Sequence, residues 1–347
     1  MTVIDGAGDS VIATVQFGNQ PRDVCYNPTS DRVYCTRYDT LSVVDGATNV
    51  VVASVPVGSD LYSLCWNSTN NKAYVGDIGD DSVYVIDGTN NTPVARVRVG
   101  GSPYALCYNR VSNKVYSAND AANSVTIIDG ATNVVIATVP AGSYPQSLCC
   151  NTTNNKVYAA NSANVSGNTV TIIDGASNSV IGTVPVGLGP SALYYDSVNN
   201  KVYCANHDGN SVSVIDGASN AVVRTIAVDD APCALTWSPA ENRVYVANYY
   251  GASISVLRGT GGGVEETMND ERGTLNPGPT IVRRVLRLPA SLSTIHTSLF
   301  DMTGRAVMAL HPGANDVRKL APGVYFVLAA SGVEREASSV HKVIVTR

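Results

Sequence analysis

One dipeptide punctuates this chain at a nearly fixed interval: Asp5-Gly6, Asp45-Gly46, Asp87-Gly88, Asp129-Gly130, Asp174-Gly175 and Asp216-Gly217, then a degenerate Arg258-Gly259. Successive glycines lie 40, 42, 42, 45, 42 and 42 residues apart. A period of this length marks stacked supersecondary units, none of which can bury its apolar faces alone. Each mark closes an apolar run such as Val125-Thr126-Ile127-Ile128. An Ala-Thr-Asn or Ala-Ser-Asn loop follows, then a second run such as Val134-Val135-Ile136-Ala137-Thr138-Val139. Gly and Asn at such a turn are expected to supply the positive-φ positions of a hairpin. The rest of each unit reads as another hairpin. Ser147-Leu148-Cys149-Cys150-Asn151 enters a polar turn over residues 152–155 and returns as Lys156-Val157-Tyr158-Ala159-Ala160-Asn161, with the same pattern at 64–74, 106–116, 193–203 and 235–245.

Four strands per unit, with no stretch of 3.6-residue periodicity, predict an all-β fold: a β-propeller of six to seven four-stranded blades over residues 1–258. Neighbouring blades would cover both faces of each sheet, and burying each Val or Ile there contributes about 1.5–3 kcal/mol. In order, the repeats supply the third and fourth strands of one blade, five whole blades, and the first three strands of a last one. The ring can close with six blades if residues 11–17 pair with the last three strands, leaving residues 2–5 surplus. It is otherwise an incomplete seven, which is the expectation adopted. Met1 falls inside a repeat and no charged and apolar leader precedes it, so the first strands and a signal peptide are expected to be missing from this chain.

The second strands Val33-Tyr34-Cys35-Thr36, Ala73-Tyr74-Val75-Gly76, Val157-Tyr158-Ala159-Ala160-Asn161 and Val244-Tyr245-Val246-Ala247-Asn248 are followed by Val-x-Val-Ile-Asp-Gly and Val-x-x-Val-Pro-Val-Gly blocks. This pattern, over residues 1–257, resembles the YVTN-type propeller repeat. The resemblance implies a seven-bladed ring of the kind found in bacterial surface-layer and exported proteins, often without known activity.

Charge divides unevenly. Fourteen basic residues face twenty-four acidic ones up to Thr280, and nine face four from Ile281 to Arg347, so net charges of −10 and +5 make up the total of −5. An acidic propeller repels phosphate backbones, so no nucleic-acid partner is expected. No apolar run reaches the eighteen residues of a membrane helix, so no membrane-spanning segment is expected.

Residues 259–280, with Gly259, Gly261, Gly262, Gly263 and Pro277-Gly278-Pro279, read as a flexible linker. Residues 281–347 return to alternation, with turn signals at Thr303-Gly304, Pro312-Gly313 and Pro322-Gly323, and predict a small C-terminal β-sandwich. Three blocks in it, Leu299-Phe300-Asp301-Met302-Thr303-Gly304-Arg305, Leu320-Ala321-Pro322-Gly323-Val324-Tyr325-Phe326 and Lys342-Val343-Ile344-Val345-Thr346-Arg347, resemble the C-terminal sorting domain of type IX secretion substrates. The resemblance implies recognition by secretion machinery through Asp301, Gly304, Arg305, Pro322, Gly323, Tyr325 and Lys342, and delivery outside the cell or to its outer surface.

Candidate chemistry is sparse. Cys25, Cys65, Cys107 and Cys149 occupy one repeat slot and read as packing residues, since equivalent positions on successive blades are too far apart to bond. Cys25 and Cys35 lie on two arms of one hairpin. A turn at Thr29-Ser30 would set them nearly opposite, where an exported chain can close a disulfide. The vicinal Cys149-Cys150 reads as structural. The propeller holds a single histidine, His207, so a multi-histidine copper or zinc site is not expected. Asp77, Asp80 and Asp81 form an oxygen-rich loop and are the one calcium candidate, although their spacing does not match a known calcium loop. Neither a nucleophile elbow nor a phosphate-binding loop is present, and no cofactor is expected.

The loops joining the fourth strand of one blade to the first of the next, and the second to the third within a blade, vary while the strands repeat. That rim is therefore the expected binding surface. It carries Arg22, Arg37, Tyr38, Asp60, Tyr62, Asp77, Tyr104, Asp120, Tyr144, His207, Asp208, Tyr249 and Tyr250. Tyrosine-rich loops suit protein or glycan surfaces. The expected function is an exported, non-enzymatic adhesion or binding scaffold. The alternative is a lactonase-type hydrolase with a carboxylate-lined site in the central channel. The near-uniform repeats disfavour it, because an active site normally interrupts the pattern.

Overall fold

The computed structural model describes residues 1–5, 10–18, 20–162, 167–239, 242–258, 264–269, 280–282, 285–288, 297–301, 305–311, 313–317, 319–321, 323–330 and 337–345. All regular structure among them is β. The N-terminal hairpin pairs β1 (Thr2–Asp5) with β2 (Ser10–Thr14). Six four-stranded antiparallel blades follow in chain order. The first contains β3 (Val24–Asn27), β4 (Arg32–Arg37), β5 (Thr40–Asp45) and β6 (Val51–Pro56). The second contains β7 (Leu61–Asn67), β8 (Lys72–Asp77), β9 (Ser82–Asp87) and β10 (Pro93–Arg98), and the third β11 (Pro103–Asn109), β12 (Lys114–Asn119), β13 (Ser124–Asp129) and β14 (Val135–Pro140). The fourth has β15 (Pro145–Asn151), β16 (Lys156–Asn161), β17 (Thr169–Asp174) and β18 (Ser179–Pro185), and the fifth β19 (Pro190–Asp196), β20 (Lys201–Asn206), β21 (Ser211–Asp216) and β22 (Val222–Ala227). The sixth has β23 (Pro232–Ser238), β24 (Arg243–Asn248), β25 (Ser253–Arg258) and β26 (Val264–Asn269). First strands β3, β7, β11, β15, β19 and β23 touch in succession, as sheets stacked side by side require.

Apolar clusters form between blades as well as within them. Tyr34, Leu41, Val43 and Val55 of the first blade pack with Leu61, Leu64, Val75 and Ile86 of the second. Tyr34, Tyr74, Tyr116, Tyr158 and Tyr203, one per blade, are almost completely buried. Their hydroxyls need partners, and for three of them the next blade supplies one. Tyr34 donates to Asn91 Oδ1 at 3.1 Å, Tyr74 to Asn133 at 2.7 Å and Tyr158 to Asn220 at 3.2 Å. Tyr116 departs from this pattern: its buried hydroxyl has no hydrogen-bond partner among the described residues, although Asn178 accepts the Lys114 ammonium at 2.7 Å just as Asn220 accepts Lys156.

These accepting asparagines close the turn between third and fourth strands. Asp129 Oδ1 accepts the Ala131 and Thr132 amides and the Thr132 hydroxyl, and Asn133 sits at φ 60°. Asparagine tolerates this left-handed geometry well. Gly130 is not among the positive-φ residues, which corrects the role expected for glycine in the repeated mark. A Cβ on Gly130 would lie 2.5 Å from Asn113 Oδ1 and 2.6 Å from Asn67 Nδ2. The glycine makes room for an asparagine ladder between blades: Asn67 donates to Asn113 at 3.0 Å, Asn109 to Asn155 at 2.8 Å and Asn151 to Asn200 at 2.8 Å.

Three further expectations change. Six-bladed closure through β2 is not what forms, because β2 pairs with β1 and β26 takes the fourth place in the last blade. Strand β26 also runs through the segment read as a linker; the glycines before it and its lack of the repeat's Val-Pro-Val-Gly ending hid it. Cys25 and Cys35 are not partners. The register pairs Cys25 with Tyr34 and Cys35 with Val24, and both thiols are free. That one-residue offset places the two side chains on opposite faces of the sheet.

The chain divides into two compact units, Met1–Glu265 and Glu266–Arg347. In the second, β27 (Thr280–Val282), β29 (Thr297–Asp301), β30 (Ala306–Leu310), β32 (Gly323–Ala330) and β33 (Ala337–Val345) form one sheet in the order β27-β33-β32-β29-β30. A second sheet pairs β28 (Val285–Leu288) with β31 (Gly313–Asp316). Gly304 and Pro322 of the sorting motif lie outside the described residues.

Gly130→Ala is expected to destabilise the propeller by about 1–3 kcal/mol, because the methyl overpacks the ladder. Gly182→Ala in β18, whose new Cβ would meet nothing within 4 Å, is expected to be neutral or to stabilise by about 0.5–1 kcal/mol. Urea unfolding midpoints check this, and equal midpoints for the two variants would remove the packing account.

Candidate functional site

The two variable loop classes lie side by side. Backbone amides of Ile78, Asp120, His207 and Tyr249 donate to carbonyls of Asp60, Ser102, Gly189 and Ala231, respectively, at 2.8–3.0 Å. Within this rim the structure gathers some of the sequence-selected residues and leaves others apart.

The main cluster sits where first strands begin. Arg22, Tyr62, Tyr104 and Gln146 share one repeat slot, three residues ahead of the Cys25, Cys65, Cys107 and Cys149 slot. They line a cavity of about 520 Å³ together with Asp23 and Leu106. The Arg22 guanidinium pairs with Asp60 at 2.6 Å and lies 5.8 Å from the centre of the Tyr38 ring and 5.3 Å from that of Tyr62. Tyr62 donates to the Tyr104 hydroxyl at 2.5 Å, with ring centres 4.3 Å apart. Burial, reinforced by that hydrogen bond, pushes the Tyr62 phenol well above its ordinary value, so it stays a neutral donor at physiological pH.

Two carboxylates frame the cluster. Burial raises Asp23, while the Leu64 and Val24 amides, donating at 2.7 and 2.8 Å, pull it back down. Asp120 is likewise raised by burial against a lowering contact from Gln146, and its buried Oδ1 has no hydrogen-bond partner among the described residues. Asp23 and Gln146 escaped the sequence reading. The repeat slot that contains Arg22, Tyr62 and Tyr104 was the signal for Gln146; burial of Asp23 against the next blade leaves no mark in sequence.

A second group forms on the fifth and sixth blades. His207 Nδ1 is 2.8 Å from Asp208 Oδ1, its ring meets Tyr250 edge-on at 5.9 Å, and Tyr249 meets Tyr250 at 5.0 Å. Tyr249 and Tyr250 are 68% and 69% exposed, so this aromatic pair faces solvent. Arg37 is spent elsewhere, donating to the Phe17 carbonyl beside a second cavity of about 770 Å³. Tyr144, at φ 52°, is held through its amide by Asn123.

The calcium candidate does not assemble. Asp77 accepts the amides of Ser59, Asp60 and Gly79; Asp80 accepts the Tyr84 hydroxyl and pairs with Arg96 at 2.7 Å; Asp81 accepts the Ser102 amide. Each carboxylate braces a different loop. Among the described residues no cluster of three or more His, Cys, Asp or Glu is arranged around a metal position.

Among solved structures, the β-propeller domain of Cps50 (Swd1) from Myceliophteria thermophila superposes with a TM-score of 0.58 at 12% identity, covering 73% of this chain and 87% of that one. The propeller fold is thereby shown. Kuenenia stuttgartiensis hydrazine synthase also matches, at 16% identity over 69% of this chain and 95% of that one, with a TM-score of 0.47. No family model matches the propeller or its C-terminal unit, and no curated protein matches in sequence.

Asp120→Asn is expected to raise the melting temperature at pH 7, since it removes a carboxylate whose ionisation burial opposes. A raised folded-state value destabilises only where the group ionises. The gain should therefore be complete above the raised value and vanish below the ordinary value of 3.8. Thermal melts between pH 3.5 and pH 8 check it, and a gain independent of pH would contradict it.

Proposed function

We propose that the propeller is a non-enzymatic binding scaffold acting outside the cell, with its ligand, a protein or glycan surface, seated on the rim. The observation that carries this reading is the Arg22–Tyr38–Tyr62–Tyr104 cluster: pinned aromatic faces around a shallow cavity, with phenol hydroxyls and the unpartnered Asp120 oxygen as an acceptor. Rigid tyrosines supply contact area at low entropy cost, and Arg and Tyr dominate binding hot spots. The cluster's groups already neutralise one another. Arg22 is paired, and the Tyr62 phenol stays protonated, so hydrogen bonding and stacking are the chemistry on offer.

The export half of the proposal rests on the C-terminal unit. Its three motif blocks fall on neighbouring strands, β29, β32 and β33, with Asp301 opposite Tyr325, and Tyr325 opposite Val343 in turn. A segment read as one surface by secretion machinery has to be brought together in this way.

Binding should be measured on glycan and protein panels with the full chain and with Tyr62→Ala and Tyr104→Ala variants. A ligand that loses about tenfold in affinity on either change while the fold is retained supports the rim site. Binding equal to wild type in both variants would place the interaction elsewhere. For export, fusing an inner-membrane signal and comparing surface exposure with and without residues 281–347 is decisive, because equal exposure removes the sorting role.

A further inference from the structure

Cys107 in β11 and Cys150 in β15 bring their sulfurs to 2.9 Å across the boundary between the third and fourth blades. The pairing depends on strand alternation. Cys149 turns into the core it shares with Leu193 and Val202 of the fifth blade, so Cys150, its neighbour, turns back towards the third. There it packs with Cys107 against Tyr116, Ile127 and Val157.

The repeat makes this contact exceptional. The slot that Cys150 fills holds Tyr26, Trp66, Tyr108, Tyr195 and Trp237 in the other blades. At neighbouring boundaries the slot cysteine therefore packs in one cluster with an aromatic ring: Cys25 with Trp66, Cys65 with Tyr108, and Cys149 with Tyr195. Only at Cys107 has the facing aromatic become a second cysteine. Truncating a packed aromatic normally leaves a void; here the replacement sets two sulfurs within a small movement of the roughly 2.05 Å bond length.

We propose that Cys107 and Cys150 oxidise to a disulfide that staples the third blade to the fourth. The oxidant is a small-molecule disulfide of the glutathione class. One cysteine thiolate attacks a sulfur of the reagent, releasing one thiol and forming a mixed disulfide. The second cysteine thiolate then attacks the protein sulfur of that intermediate and expels the other thiol. The protein loses two electrons, the reagent gains two, and the two cysteine protons end on the released thiols. Burial, which raises the Cys107 thiol well above its ordinary value, limits the thiolate available and makes the exchange slow in the folded state. Oxidative refolding is the faster route. The staple joins residues 43 apart and closes the whole inter-blade repeat, so it constrains the unfolded chain strongly. It stands independently of the export reading and needs only an oxidising compartment.

The full chain is refolded from urea with oxidised and reduced glutathione, remaining thiols are alkylated, and unreduced peptides are sequenced by mass spectrometry. The expected product links Cys107 to Cys150 with loss of two hydrogens, and melts about 5–10 °C above the reduced protein. Dithiothreitol abolishes the difference. Cys149→Ser keeps the redox-dependent shift, whereas Cys150→Tyr, which restores the aromatic slot, folds and loses it. Alkylation of both Cys107 and Cys150 after oxidative refolding, or a linked peptide that uses Cys149 instead, overturns the proposal.

Discussion

The fold depends on a tie between blades: in three blades the tyrosine of the second strand is buried against the following blade and reaches the asparagine that closes that blade's turn between third and fourth strands. The tie has a direction. Tyr34 depends on Asn91 and Tyr74 on Asn133, so a blade's polar satisfaction comes from its successor. A buried phenol without a partner costs about 1–3 kcal/mol, which makes an isolated blade unstable on polar as well as apolar grounds. The ends of the series show the same dependence. Val24 is 55% exposed where its second-blade counterpart Leu64 is 7%, and Tyr245 of the last blade is only half-buried where Tyr203 is 2% exposed.

This division of labour explains where variation concentrates. The asparagine ladder and buried tyrosines occupy the strands and the turns after first and third strands, where residue types largely repeat from blade to blade. The opposite rim carries loops whose backbones are already tied to one another, so their side chains are free to differ. Asn119, Asn161, Asn206 and Asn248 end the second strands of four blades and each bonds two hydroxyls on the third strand. In the first two blades Arg37 and Asp77 stand in that slot. The regular brace is therefore replaced on the side of the molecule where Arg22, Tyr62 and Tyr104 gather.

Most of the architecture was legible because a period near 42 residues with alternating strands admits few folds. What was misread turned on information that one sequence does not carry. A repeated glycine signals either a left-handed backbone or a close approach, and only the position of Asn113 distinguishes them at Gly130. Cys25 and Cys35 differ by one residue of register from a facing pair, which composition cannot reveal. Cysteines in equivalent slots do not meet, whereas the sulfurs that do occupy adjacent slots on successive blades. For the rim, the variability of its loops identified Arg22, Tyr62 and Tyr104, but not which of the thirteen candidates converge. The His207–Tyr250 group and the Arg22 cluster lie on different blades.

Asp120 brings stability and recognition into opposition. Its Oδ1 is buried without a hydrogen-bond donor among the described residues, and burial has already raised the cost of ionising it. An acceptor in that state weakens the fold unless something donates to it, and a hydroxyl or amide entering the adjoining cavity is the kind of group that does. Asp60 and Asp80 also bury an Oδ1 without a hydrogen-bond partner, but they are ion-paired with Arg22 and Arg96, and Asp77 is occupied by three amides. The contrast identifies Asp120 as the rim carboxylate whose local cost a ligand can offset. The Arg22 ion pair, by comparison, is satisfied before any ligand arrives and serves to hold the aromatic faces in place.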